Sequence, residues 1–196
     1  MSTVRSLTLA DVALPRAGAL QNVLLILTAS LATAAAAQLE IRLPWTPVPI
    51  TGQTFAVLLS GAVLGRRRAF LAQALYLLEG AAGLPVFSGG ASGVGAFLAP
   101  SAGYLLSFPL AAALTGWLCE RGWDRHATTM LVAMLASSSV IFVCGLAWLA
   151  RFMPASHLLS AGLLPFLPGD VVKATLAALA FPFVWKRLGG MAGGRA

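Results

Sequence analysis

From Ala127 to Ala150 the chain runs without a single Asp, Glu, Lys or Arg. A helix rises ~1.5 Å per residue and a bilayer's hydrocarbon core is ~30 Å thick, so about 20 such residues are enough to cross it. A second uncharged stretch, Gly18 to Gln38, ends in the small-residue run Ala34 to Ala37. With 59% hydrophobic and 10% charged residues, the chain lacks the charge needed to clothe a soluble domain of its size. The mean hydropathy of +0.87 points the same way.

Four further apolar segments lie at 51–65, 69–84, 104–119 and 169–185, beside 18–38 and 127–150. The expected fold is therefore an all-α integral membrane protein, a single transmembrane domain over 1–196 with six transmembrane helices and outer capping loops. Between the first two spans, Pro44, Pro47 and Pro49 surround Trp45. Proline forbids helix there, and Trp suits a membrane interface. The connection 85–103 holds Gly89, Gly90, Gly93, Gly95 and Pro100. So glycine-rich a segment makes a poor lipid-facing helix, and it reads as a re-entrant or capping loop. Arg151 to Leu167, with Pro154 and Pro165, reads as a broken connection.

The cations set the orientation. With both ends inside, the inner segments hold Arg5, Arg16, Arg66, Arg67, Arg68, Arg121, Arg125, Lys186, Arg187 and Arg195. The outer segments hold only Arg42 and Arg151. That imbalance matches the positive-inside rule, and an odd number of helices would destroy it. Because the cations separate apolar blocks, the net charge of +7 is a topology signal rather than a nucleic-acid footprint. The first residues lack an apolar core followed by a small-residue cleavage site, so no removable signal peptide is expected.

Three ionisable residues fall inside spans: Glu79, Asp170 and Lys173. Each is costly at membrane depth unless it faces a partner or a polar cavity. The topology puts all three near the outer ends of their helices, beside the glycine-rich loop, so they converge on one outward-facing pocket. Asp170 and Lys173 stand three residues apart and share a helix face. Asp170 also lies in the first helical turn, where an anion is favoured, so a purely structural pair is the competing reading. Tyr76 and Tyr104 could stack on a ligand ring or anchor the interface. Ala32 and Ala36 form a small-xxx-small pattern suited to close helix approach, within the protein or against a partner.

Enzyme signals are scarce. No G-x-x-x-x-G-K-[ST] occurs, so ATP is not bound through a P-loop. With two histidines and two cysteines, Cys119 and Cys144, neither a metal cluster nor a disulfide framework is expected. Gly90-Ala91-Ser92-Gly93 followed by His157 suggests an intramembrane serine hydrolase. However, Ser92 falls in an outer loop and His157 in a Pro-flanked connection, with nothing to aim base at nucleophile.

Several ordered motifs carry a resemblance. Pro47-Val48-Pro49-Ile50-Thr51-Gly52-Gln53-Thr54, Gly80 to Phe87, Ser88-Gly89-Gly90, Gly103-Tyr104-Leu105-Leu106 and Leu167-Pro168-Gly169-Asp170-Val171-Val172-Lys173 resemble the BioY family. These are biotin-specific S components of energy-coupling factor (ECF) transporters, and the likeness spans roughly Ala29 to Trp185. The resemblance implies a six-helix membrane protein that captures biotin at high affinity and is not itself an enzyme. It implies partnership with a transmembrane coupling (T) subunit and two cytoplasmic ATPases, which alone use ATP, in a bacterial or archaeal cytoplasmic membrane. Homo-oligomers are compatible with it, and no cofactor or metal is implied. Ala32 and Ala36 would then form the docking face. Asp170 and Lys173 would meet the ureido ring, or Lys173 the carboxylate with the roles exchanged, and Gln53 and Thr54 would complete the ring's hydrogen bonds. The glycines at 89 and 90, with Ser88 and Ser92, would bring loop amides and hydroxyls close. Tyr76, Phe87 and Tyr104 would pack on apolar faces, and Glu79 would lie near them. Some relatives carry an arginine in the glycine-rich segment where this chain has Ala91, so the partner of the biotin carboxylate is not carried over. An S component for another small vitamin is the alternative.

Overall fold

A computed structural model describes residues 7–15 and 17–193; Arg5, Arg16 and Arg195 lie outside the described residues. The chain is mostly helical. In order come α1 (Leu9–Ala13), α2 (Ala19–Ala37), α3 (Gln53–Leu64), α4 (Arg66–Ala81), α5 (Ala102–Leu106), α6 (Phe108–Cys119), α7 (Ala127–Leu149), α8 (Ala155–Gly162) and α9 (Leu167–Gly193). Three segments are long and apolar enough to cross a membrane: Ala19–Ala37, Ala127–Leu149 and Ala155–Leu188, the last comprising α8, a short turn and α9. Gln53–Leu64 and Phe108–Cys119 are apolar but shorter. Large apolar side chains such as Leu20, Leu24 and Leu31 on α2, and Leu176, Leu179 and Phe183 on α9, point outward. A helix exposing them has found lipid rather than water as its solvent.

The sequence expectation of helices alone needs three corrections. Residues Glu40–Ile41 (β1) and Ile50–Thr51 (β2) form a small antiparallel hairpin, with Glu40 opposite Thr51 and Ile41 opposite Ile50. The prolines between them fold the chain back and forbid helix without forbidding strand. The span placed at 51–65 therefore begins only at Gln53. Second, the connection 151–167 contains α8, because Pro154 stands just before the helix and leaves its interior intact. Third, Arg66, Arg67 and Arg68, placed from sequence between two spans, open α4. The corner is made by Gly65 alone, at φ +79°, a left-handed value that costs a side chain about 1–2 kcal/mol. Cations at a helix N-terminus oppose its dipole. Glu120 offsets this by accepting the Arg66 backbone N–H at 2.8 Å.

α3 packs on α6, α4 on α2 and α6, and α7 on α9 and α5. At the α3–α6 crossing a Cβ on Gly61 would fall 2.4 Å from the Ala112 carbonyl oxygen, so these backbones touch. The hydrophobic core runs through Val57, Leu58, Phe108, Met130, Met134 and Ile141.

The bundle has two chemically different ends. At one, Arg68 bonds Asp11 at 2.8 Å, and Arg125 donates to the Leu7 carbonyl at 3.0 Å. There too the Trp185 indole N–H donates to Asp124 at 2.6 Å, and the Arg125 guanidinium lies 3.2 Å from the Trp185 ring centre. Burial pushes the Asp124 carboxyl above its ordinary range, although Trp185 and Arg125 pull against it. At the other end the hairpin, the glycine-rich segment and the start of α9 enclose a cavity.

Candidate functional site

The cavity has a volume of about 820 Å³. Its wall is built from the hairpin and the first turn of α3, from loop residues Phe87, Ser88 and Ala91, from Tyr104, Leu105 and Phe108, from Ile141 and Phe142, and from Phe166 and the first turns of α9. Concave, mostly apolar space of this size, with few polar groups, is what a small organic ligand requires.

The polar groups converge from α9 and α3. Asp170 is 7% exposed and accepts from Ser138 Oγ at 2.8 Å. Lys173 Nζ donates to the Thr51 carbonyl at 2.9 Å and to Thr54 Oγ1 at 3.1 Å. Among the described residues no ion pair joins Asp170 to Lys173. Each instead holds partners of its own while lining the same cavity. Gln53 opens α3 and is fixed on both sides: Thr51 Oγ1 donates to Oε1 at 3.0 Å, and Nε2 donates to the Tyr76 hydroxyl at 2.5 Å. That hydroxyl in turn donates to the Val86 carbonyl at 3.0 Å.

Of the residues singled out from sequence, Asp170, Lys173, Gln53, Thr54, Phe87, Ser88 and Tyr104 line the cavity. Tyr76, Glu79, Gly89, Gly90 and Ser92 are not part of its wall. Tyr76 is fully buried behind Gln53 and meets the Phe87 ring edge-on at 5.4 Å. Glu79 turns away toward α2 and accepts from Ser30 Oγ at 2.5 Å, because a hydroxyl on the neighbouring helix satisfies it more directly than the cavity does. Gly89 carries the hairpin's Arg42 against its backbone: a Cβ there would lie 2.3 Å from Arg42 Nη2. Gly90, at φ +73°, completes the turn, and Ser92 is exposed on the loop. Contrary to expectation, His157 sits on a helix, α8, where it is exposed, and no hydrogen bond among the described residues joins it to Ser92. Ala32 is exposed on α2, whereas Ala36 packs inward against Gly52.

Two parts of the site escaped the sequence reading. Ser138 is one; its signal is the polar run Ser137-Ser138-Ser139 midway along an otherwise apolar span. The other is the seam between hairpin and glycine-rich loop. There the Ser88 hydroxyl donates to Glu40, Arg42 Nε donates to Glu40 at 2.8 Å, and Gln38 reaches the Phe87 carbonyl at 3.3 Å. The Ser88 hydrogen bond, aided by Arg42, holds the Glu40 carboxyl below its ordinary range. Gly80 leaves room for the Phe87 ring, which would lie 2.0 Å from any Cβ at that position.

Comparison with known proteins places this architecture. A solved chain described as the S-component for biotin from an ECF-type ABC transporter superposes with a TM-score of 0.75, at 24% identity, over 85% of this chain and 92% of that one. The probable biotin transporter BioY of Pyrococcus horikoshii is 37% identical over 147 residues, covering 75% of this chain and 85% of the relative. The biotin transporter BioY of Rhizobium etli is 39% identical over 147 residues, covering 71% and 79%. The BioY family model matches residues 6–190, nearly the whole chain. With relatives this similar over most of their length, the chain belongs to the BioY family.

Proposed function

We propose that this chain is the substrate-binding membrane component of an ECF-type vitamin transporter and that it captures biotin in the cavity between the hairpin, the glycine-rich loop and α9. The observation that carries the reading is the presence of one buried carboxylate, Asp170, and one half-buried ammonium, Lys173, in a wall otherwise mostly apolar. Biotin's ureido ring presents N–H donors and a carbonyl acceptor on a largely apolar bicycle. Asp170 accepts a ureido N–H, Lys173 donates to the carbonyl, Gln53 and Thr54 complete the ring's partners, and Phe87 and Tyr104 pack on its faces. Tyr76 acts at one remove by holding Gln53. The binding role is non-enzymatic, and the ligand is cargo rather than cofactor.

The chain forms a single transmembrane domain with six helices crossing the bilayer, both ends inside. The charge distribution supports this: Arg66, Arg67, Arg121, Arg125, Lys186 and Arg187 cluster at the end opposite the cavity, which holds Arg42. The cavity then opens outward from a bacterial or archaeal cytoplasmic membrane. ATP is used only by two cytoplasmic ATPases acting through a coupling subunit. The exposed Ala32 belongs to the face of α2 that meets that subunit, with Ala36 at its edge.

Calorimetric titration of the purified protein in detergent with biotin, beside thiamine and riboflavin, tests the assignment. Saturable one-to-one binding of biotin alone is expected. Binding of thiamine or riboflavin in its place would leave the fold standing and reassign the substrate.

A further inference from the structure

Four charged residues line the cavity, Glu40, Arg42, Asp170 and Lys173, so only two of them are cations. Lys173 donates to Thr51 and Thr54 beside the start of α3. Arg42 belongs to the hairpin, with 72% of its side chain exposed, and its guanidinium is held in place from two sides. Glu40 takes its Nε at 2.8 Å. Beneath, Nη2 lies over Gly89, so close that any side chain there would displace it; Gly89 is also at φ +65°. Glu40 is in turn fixed by Ser88 on the other loop. A guanidinium has five N–H donors and Glu40 occupies one edge, and among the described residues no hydrogen bond takes the remaining edge, which can meet an anion. The neighbouring Ala91 contributes only a methyl group to this part of the wall.

Resting on the biotin reading above, we infer that Arg42 is the residue that binds the ligand's carboxylate. With the ureido ring at Asp170 and Lys173, the aliphatic chain leads toward the hairpin, and its terminal carboxylate meets the outer edge of the Arg42 guanidinium. Glu40 then acts as a positioning residue: it turns the arginine into the mouth of the cavity without neutralising its free edge. The specificity that follows is for a small ligand with a hydrogen-bonding ring at one end and an anion at the other.

The test crosses two proteins with two ligands. Wild type and Arg42→Ala are titrated with biotin and with biotin amide, which keeps ring and chain but carries no charge. We expect Arg42→Ala to weaken biotin by about 10- to 100-fold, the effect of losing a hydrogen bond to a charged group. Biotin amide should bind both proteins alike, and Arg42→Lys should restore part of the biotin affinity. Raising the salt concentration should weaken biotin but not its amide. If Arg42→Ala weakens both ligands equally, the residue only closes the loops, and the inference is overturned. It is equally overturned if Arg42→Ala binds biotin as wild type does. Failure of wild type to bind biotin at all would instead remove the substrate assignment beneath it.

Discussion

Asp170 and Lys173 stand one turn apart on α9, yet each is satisfied by a different neighbour, Ser138 on one side and Thr51 with Thr54 on the other. Removing either leaves its partners and the ligand short of a hydrogen bond in a buried wall. We expect Asp170→Asn and Lys173→Ala each to lower biotin affinity by at least about tenfold and to cost about 1–3 kcal/mol in thermal unfolding in detergent. Titration beside the unfolding scan separates the two effects. Ser92→Ala should leave binding unchanged, since Ser92 lies outside the cavity. At Gly80 an added methyl meets the Phe87 ring, so Gly80→Ala should cost about 1–3 kcal/mol in overpacking and weaken binding with it. These residues were legible to different degrees for one reason. A charge inside an apolar span announces that something polar lies nearby, but not what it is. Asp170 and Lys173 answer to the cavity, whereas Glu79, with the same signal, answers to Ser30. Ser138 carries no charge, so its importance shows only once Asp170 is placed against it.

The helices follow from the apolar runs, but their corners do not. The sequence places Arg66 to Arg68 between the spans 51–65 and 69–84, and cations at a helix start oppose the dipole. What overrides that preference is distant in sequence: Glu120, beyond α6, receives the first amide of α4, while Gly65 makes the bend. Glu120→Ala should therefore lower stability by roughly 0.5–2 kcal/mol, as loss of a cap does. Amide exchange should locate the loosening at the start of α4. The β1–β2 hairpin was equally hidden. Two-residue strands show no alternation, and their pairing depends on the prolines between them and on Glu40 reaching Ser88. The glycine-rich segment, by contrast, declared itself as non-helical through composition alone, and it forms 3-10 turns at Ser88–Gly90 and Val94–Leu98.

Across the described residues the ion pairs lie at the two ends, while the interior of the bundle holds neutral ties such as Gln73 to Thr33 and Ser60. One of the ion pairs carries a pH signature. Burial raises the Asp11 carboxyl, but hydrogen bonds from Thr8 and the Arg68 guanidinium outweigh it and hold the group below its ordinary value of 3.8. The unfolded chain then binds the proton more readily than the folded one. The contribution of Asp11 is complete above that ordinary value and is lost as pH falls through the lower folded one. Unfolding scans in acid should show wild type losing this increment, about 0.5–1 kcal/mol for a half-exposed pair, while Asp11→Asn lacks it throughout. The other end has a consequence of a different kind. Because Lys173 rests on the Thr51 carbonyl and Thr54 hydroxyl, two of its ammonium hydrogens have acceptors in the protein's own chain. The third is left, already oriented, for an incoming ligand. A molecule that matches the cavity in shape but offers no acceptor there buries that hydrogen without a partner and is discriminated against for that reason.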